Sequence, residues 1–155
     1  MPSRPVSDPS RGRLGLPFVA LVALAALGVP RVVAHDLDLA GPAVTWLLAI
    51  APPVSWVIVV LGRRVPHPFT TLLVVGLLYG LMLGATHQVL WSEAFDGDSP
   101  RLGDQLADAP DWIHTTVTRS AAVLSSVAVG AVVGASAGAI AAALNRTRRH
   151  AAHHT

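Results

Sequence analysis

Two polar side chains, His87 and Gln88, interrupt the apolar run VGLLYGLMLGATHQVLW that covers residues 75–91. An ionisable residue inside such a run is a candidate functional group, because its burial is costly unless the side chain has a partner or a chemical task. A histidine there can relay protons, bind a metal or a haem, or stay neutral and form a hydrogen bond between helices. The sequence leaves these uses open and makes His87 and Gln88 the first candidates.

Two further histidines, His35 and His114, flank neighbouring apolar segments and are expected at the level of His87. Together with Asp36 and Asp38 they would supply the nitrogen and oxygen ligands that zinc or copper takes. None of these spacings is local, so we predict no metal site and keep His35, His87 and His114 only as candidates. No cofactor is predicted, because no second pair of histidines on facing segments could hold a haem.

Other catalytic patterns are missing from the sequence. It contains no cysteine, which excludes disulfides, thiolate metal sites and cysteine nucleophiles. There is no P-loop, no HExxH and no Ser-His-Asp grouping, and no carboxylate lies inside the predicted apolar spans. The segment from Asp96 begins like a calcium loop, but Pro100 occupies its fifth position and no glutamate follows at the required spacing. These absences predict a protein that is not an enzyme.

The elements that would position these side chains are membrane-spanning helices. Apolar residues make up 52% of the chain and charged residues 13%, a balance that a soluble domain of 155 residues cannot bury. Four segments are long enough to cross a bilayer, namely residues 14–34, 41–61, 68–91 and 120–144. We therefore predict an all-α fold, an integral membrane four-helix bundle.

Polar segments flank the four spans. Residues 1–13 have no core-forming pattern and are predicted to be disordered. Residues 92–111 form the longest connection, and the last span is predicted to continue a helix that begins near Asp111. Residues 145–155 form a short polar tail.

The arginines predict the direction of the chain across the membrane. All 11 basic residues are arginine. Eight of them fall on one side of the four spans, and these are Arg4, Arg11, Arg13, Arg63, Arg64, Arg146, Arg148 and Arg149. Because cytoplasmic segments carry the excess of arginine, both termini are predicted to lie inside a bacterial cytoplasmic membrane. The arginines are scattered rather than clustered, so the predicted partner is the lipid bilayer and not nucleic acid.

The first span also has features of a cleaved signal peptide. An arginine-bearing start, an apolar run and the residues VVA before His35 fit that pattern. The run is longer than a usual signal core, and Pro30-Arg31 is unusual before a cleavage site. Cleavage would leave the orientation of the other three spans unchanged.

Small residues recur at intervals of four in the last two spans. Gly76, Gly80 and Gly84 form one such stripe in the third span. The fourth span carries a longer stripe of Ala122, Ser126, Gly130, Gly134, Gly138 and Ala142. Within a bilayer such a glycine zipper lets two helix backbones approach closely and gain dispersion contacts. The stripes predict that the third and fourth helices pack together, and the alternative is that each stripe meets its own copy in an oligomer.

Pro52 and Pro53 lie near the middle of the second span. Proline lacks a backbone donor and clashes with the preceding turn, so a kink or a break is predicted there. A broken helix lines the substrate site in many transporters, but proline is also common in membrane helices that only pack.

The run from Gly76 through THQVLW, the acidic loop with PRLG and the Gly/Ala-rich last helix resemble small four-span membrane proteins of actinobacteria. The resemblance covers about the second half of the chain. It implies a membrane fold and carries no activity, cofactor or site residue.

These observations predict a non-enzymatic accessory or interaction subunit, which associates with other membrane-protein subunits or with itself. The first alternative is a small transporter or channel subunit that uses a broken second helix and His87. A metal-binding membrane protein is the third hypothesis.

Overall fold

A computed structural model of the protein describes residues 14–95 and 100–151, which form helices and connections without a β-strand. The predicted disordered segment 1–13 and the whole DGDS sequence, residues 96–99, lie outside the described residues. The helices are α1 (Phe18–Ala26), α2 (Val29–Asp36), α3 (Pro42–Gly62), α4 (Pro68–Val89), α5 (Trp91–Ala94) and α6 (Asp111–Ala151). A single 3-10 turn, Asp104–Leu106, lies in the connection before α6.

Four helical stretches are long and apolar enough to cross a membrane. They are Phe18–Asp36, Pro42–Gly62, Pro68–Val89 and Asp111–Arg148. The all-α class and the four candidate spans are therefore confirmed, with ends that differ from the predicted ones by a few residues. The last helix begins at Asp111 after Pro110, which cannot continue a preceding helix and suits a helix start.

The break in the helices is in the first span, not in the second. Proline removes a backbone donor from a helix interior but costs little in the first turn, which is where Pro30 lies in α2. Helix α1 ends at Ala26, and α2 starts at Val29. At this break the N–H of Gly28 bonds to the carbonyl of Ala25 at 3.3 Å, a bond over three residues. Position 28 requires glycine, because a Cβ there would overlap the ring of Tyr79 on α4.

The predicted break at Pro52 and Pro53 is absent, because α3 is one helix from Pro42 to Gly62. Membrane helices tolerate internal proline where neighbouring polar groups and packing compensate for the lost bonds. Next to the two prolines, the hydroxyl of Ser55 donates to the carbonyl of Ala51 at 2.8 Å. Pro52 is buried against the other helices, so the pair serves packing in this helix.

The backbones of α4 and α6 are in contact along their small residues. A Cβ on Gly76 would lie 2.6 Å from the Cα of Gly134, and a Cβ on Gly80 would lie 2.6 Å from the carbonyl oxygen of Ser126. Real Cβ atoms do not approach other atoms this closely, so only glycine fits at these positions. The two predicted stripes of small residues, one on α4 and one on α6, are therefore in contact over their central part.

The ends of the predicted stripes have other neighbours. Gly84 lies opposite Val123 and Ser126 at ordinary contact distances, and Gly138 lies against Phe69. Ala122 lines a cleft near His87, and Ala142 lines a cavity at the opposite end of the bundle. The close approach is therefore concentrated where Gly76 and Gly80 of α4 meet Ser126, Gly130 and Gly134 of α6.

The apolar core joins the broken first span to α3 and α4. Trp56 of α3 is fully buried, and its indole Nε1–H donates to the carbonyl of Leu24 on α1 at 2.8 Å. Its ring meets the ring of Tyr79 edge to face, with centroids 5.6 Å apart. The hydroxyl of Thr71 donates to the carbonyl of Leu14 at 2.8 Å and fixes the segment just before α1 to α4.

Candidate functional site

The carboxylate of Asp36 lies between two imidazole rings at one end of the bundle. Its Oδ2 is 2.7 Å from Nδ1 of His87, and its Oδ1 is 3.1 Å from Nδ1 of His35. The side chain of Asp36 is 4% exposed, that of His87 33% and that of His35 67%. An ionised carboxylate only accepts hydrogen bonds, so each Nδ1 carries the hydrogen, and Nε2 of a neutral ring is left as an acceptor.

Helix ends position this cluster. Asp36 is the last residue of α2, and His87 lies in the last turn of α4. The break before Pro30 separates α2 from α1, so the carboxylate is carried by a short helix of its own. We name these three residues, His35, Asp36 and His87, the His-Asp-His cluster.

A cleft of about 540 Å³ opens beside the His-Asp-His cluster. Besides the cluster, its lining consists of Trp91, Ala94, Phe95, Pro100, Thr118, Ala121, Ala122, Ser125 and Ser126. Aromatic rings thus form one wall, and small residues of α6 form the opposite one. We name this space the His87 cleft.

The hydroxyl groups of the His87 cleft are bonded to their own helix. Ser125 and Ser126 donate to the carbonyl of Ala122 at 3.0 and 2.8 Å, and Thr118 donates to the carbonyl of His114 at 2.7 Å. None of these hydroxyls bonds to the imidazole of His87 within the described residues. The Asp36–His87 pair therefore has no serine or threonine nucleophile to activate in this arrangement.

Gln88 connects α4 to α6 through Arg119. Its Nε2 donates to the backbone carbonyl of Arg119 at 3.3 Å, and Nη1 of Arg119 donates to Oε1 of Gln88 at 3.4 Å. The guanidinium of Arg119 lies 5.1 Å from the ring centre of Trp91, within the range of a cation–π interaction. Gln88 and Arg119 thereby fix the position of Trp91, the aromatic wall of the cleft.

His114 does not join the other two histidines. It is 3% exposed, and its Nδ1 accepts a hydrogen bond from the backbone N–H of Leu102 at 2.9 Å. Its Nε2 has no partner among the described residues. The structure thus does not bring His35, His87 and His114 together, and the described residues hold no group of three or more His, Asp or Glu placed to bind a metal.

Sequence reasoning placed Asp36 outside the membrane spans and missed its role. The first span was predicted to end at residue 34, whereas α2 continues to Asp36 and carries its carboxylate into the interior. Asp36 is the last residue of the candidate span Phe18–Asp36 and so lies at the end of that span rather than beyond it. The sequence grouped Asp36 with His35 and His87 only as a metal ligand, and the signal for its pairing with His87 was indirect, since a histidine in an apolar run needs a polar partner.

Comparisons of the chain with protein-family models, with curated proteins and with solved structures found no match. The fold and the cleft define an all-helical protein with four helices that could span a membrane. Its function is therefore inferred from its own residues.

Proposed function

We propose that the protein is a non-enzymatic accessory subunit of the bacterial cytoplasmic membrane and binds a helix of another membrane protein. The observation that carries this proposal is the exposure of α3. In the most apolar 18-residue stretch of α3, only 17% is buried within the chain, whereas the corresponding share for α4 is 44%. The large exposed side chains of α3 lie within about half of the helix circumference. They are Val44, Trp46, Leu47, Ile50, Val54 and Ile58.

An apolar groove adjoins this face of α3. It has a volume of about 420 Å³ and lies between α3 and α6. Its lining includes Pro53, Val57 and Ile58 from α3 and Val132 and Ile140 from α6. Helices associate in a bilayer through close packing of side chains into such grooves, so the proposed occupant is a helix of a different subunit.

The polar groups within the spans favour an accessory role over transport. The hydroxyls of Ser55, Thr86 and Ser126 each donate to a carbonyl four residues earlier in their own helix. Hydrogens used in this way are not available to an ion or a polar solute. The alternative, a transport subunit, is favoured by one observation, the buried Asp36–His87 pair, because carboxylate and histidine chains relay protons in transporters.

Native mass spectrometry of the protein, released gently from its own membrane, tests the accessory role. We expect a defined heteromeric mass. The substitution Ile58→Trp fills the groove and should lower the heteromeric fraction, whereas Leu81→Trp, on an exposed position of α4, should leave it unchanged. A monomer or homomer that carries a metal, a haem or a small molecule would contradict the proposal.

The proposed orientation has both termini in the cytoplasm, with the His87 cleft on the outer side. It is supported by the arginines, eight of which lie on the proposed inner side. The resemblance to four-span actinobacterial proteins agrees with a bacterial membrane.

Cysteine labelling tests this orientation without background, because the chain has no cysteine of its own. A Cβ at Gly62 or at Gly103 would meet no atom within 4 Å, so Gly62→Cys and Gly103→Cys should fold normally. A membrane-impermeant maleimide added to intact cells should label Gly103→Cys, and it should label Gly62→Cys only after permeabilisation. The reverse pattern would contradict the proposed orientation.

A further inference from the structure

The His-Asp-His cluster presents hydrogen-bond acceptors rather than donors to the His87 cleft. Both Nδ1 hydrogens point to Asp36, so a neutral His87 offers the lone pair of Nε2. This Nε2 has no partner among the described residues, and His87 is exposed enough to be reached from the cleft. With neutral rings the cluster carries the single negative charge of Asp36, and a ligand that meets it must therefore supply N–H or O–H donors.

The surrounding charges favour a cation. The segments at this end of the bundle contain the acids Asp36, Asp38, Glu93, Asp108 and Asp111 among the described side chains. The arginines of the same segments are Arg31, Arg101 and Arg119. Arg101 is paired with Asp111 at 2.8 Å, and the guanidinium of Arg119 is held by Gln88 and Trp91. The excess of carboxylates, together with the rings of Trp91 and Phe95, suits an ammonium group.

The position of the cleft along the helices indicates an amphiphile. The 22 residues of α4 are about 33 Å long, close to the thickness of the hydrocarbon core. His87 in its last turn therefore lies where the hydrocarbon meets the headgroups. On the α6 face that lines the cleft, Val129 follows Ser125 after one turn and is 47% exposed. An acyl chain can lie against this valine while its headgroup occupies the cleft.

We propose that the His87 cleft binds a phospholipid with a primary ammonium headgroup, whose acyl chain lies along Val129 of α6. The ammonium donates a hydrogen bond to Nε2 of His87, the charge of Asp36 attracts it, and Trp91 and Phe95 enclose it. A quaternary ammonium has no N–H to donate, and a glycerol headgroup has no positive charge. The site rests on the proposed membrane location of the chain but not on the proposed partner subunit.

The test is the retention of lipid by the purified full-length protein in native mass spectrometry. The protein is incubated with phosphatidylethanolamine, phosphatidylcholine or phosphatidylglycerol of identical acyl chains. We expect phosphatidylethanolamine to be retained about tenfold more than either of the others, since a hydrogen bond with a charged donor is lost with each of them. Equal retention of the three lipids, or a preference for phosphatidylglycerol, would overturn the proposal.

Matched variants locate the site. His87→Leu removes the acceptor and should abolish the preference for phosphatidylethanolamine, whereas Val89→Leu, at a position 77% exposed on the same turn of α4, should keep it. Ala121→Trp fills the cleft from an exposed position of α6 and leaves the Asp36–His87 bond untouched, so it serves where His87→Leu fails to fold. A preference for phosphatidylethanolamine that survives in Ala121→Trp would overturn the assignment to this cleft. The assignment would also be overturned if the protein retained dodecylamine but not phosphatidylethanolamine.

Discussion

Gly134→Leu should destabilise the protein more than any substitution of a lipid-facing residue on the same helix. A Cβ at Gly134 would lie 2.5 Å from the carbonyl oxygen of Leu72 and 2.8 Å from the Cα of Gly76, and both atoms belong to the α4 backbone. A backbone cannot rotate away as a side chain can, so α4 and α6 must separate along their length. We expect a loss of about 2–3 kcal/mol or more in the free energy of unfolding, measured by denaturant titration in mild detergent.

The control for this prediction is Val132→Leu. Val132 is on the same helix, two residues from Gly134, but it is 65% exposed. Both variants add apolar side-chain atoms to a span, so both should insert into the membrane in wild-type amounts. If Gly134→Leu unfolds at the same denaturant concentration as Val132→Leu and the wild type, the close contact of α4 and α6 does not stabilise the protein.

The contact between α4 and α6 could be predicted because its signal is local in each helix. A residue every fourth position marks one face, and only small residues allow backbones to meet in lipid. What the sequence did not predict is where the contact is closest. Position 84 is a glycine like position 76, yet a Cβ there would lie 3.4 Å from the Cα of Val123, an ordinary contact distance. The tilt between two helices decides this, and no single helix encodes it.

The prolines show a second limit of sequence reasoning. Pro30 and Pro52 both lie in apolar runs, but one separates α1 from α2 and the other lies within a continuous α3. The difference depends on the neighbouring residues. At the break before Pro30, Gly28 makes room for the ring of Tyr79, and the indole of Trp56 donates to the carbonyl of Leu24, which also accepts the N–H of Leu27. Tyr79 and Trp56 are more than 25 residues away in the chain, beyond any local pattern.

The candidate site was predicted in part. His87 stood out because an ionisable residue in an apolar run is rare, and Gln88 followed from its position beside it. Asp36, the partner of His87, is 51 residues earlier in the chain and beside other polar residues, so nothing in its own surroundings distinguishes it from Asp38. The pairing depends on how α2 packs on α4, and that packing depends on the break before Pro30.

Trp56→Ala should cost about 3–5 kcal/mol of unfolding free energy, the usual loss for removal of a large buried aromatic side chain. Trp56 is 0% exposed and contacts both the first span and Tyr79, so its removal leaves a cavity where three helices meet. Because the indole holds α1 at the break, the loss should also loosen α2 and the Asp36–His87 bond. Denaturant titration in detergent measures the stability, and hydrogen exchange of α2 measures the loosening.

Two further variants separate the causes of this effect. Trp56→Phe keeps most of the volume and removes only the bond from Nε1 to Leu24, so it should cost about 0.6 kcal/mol, the average for a hydrogen bond between membrane helices. Trp46→Ala, on the same helix but 69% exposed, should change the unfolding free energy little. If Trp46→Ala and Trp56→Ala are equally destabilising, Trp56 is not the point at which α1, α3 and α4 are joined. If Trp56→Phe loosens α2 as much as Trp56→Ala does, the indole hydrogen bond rather than the packed volume holds the first span in place.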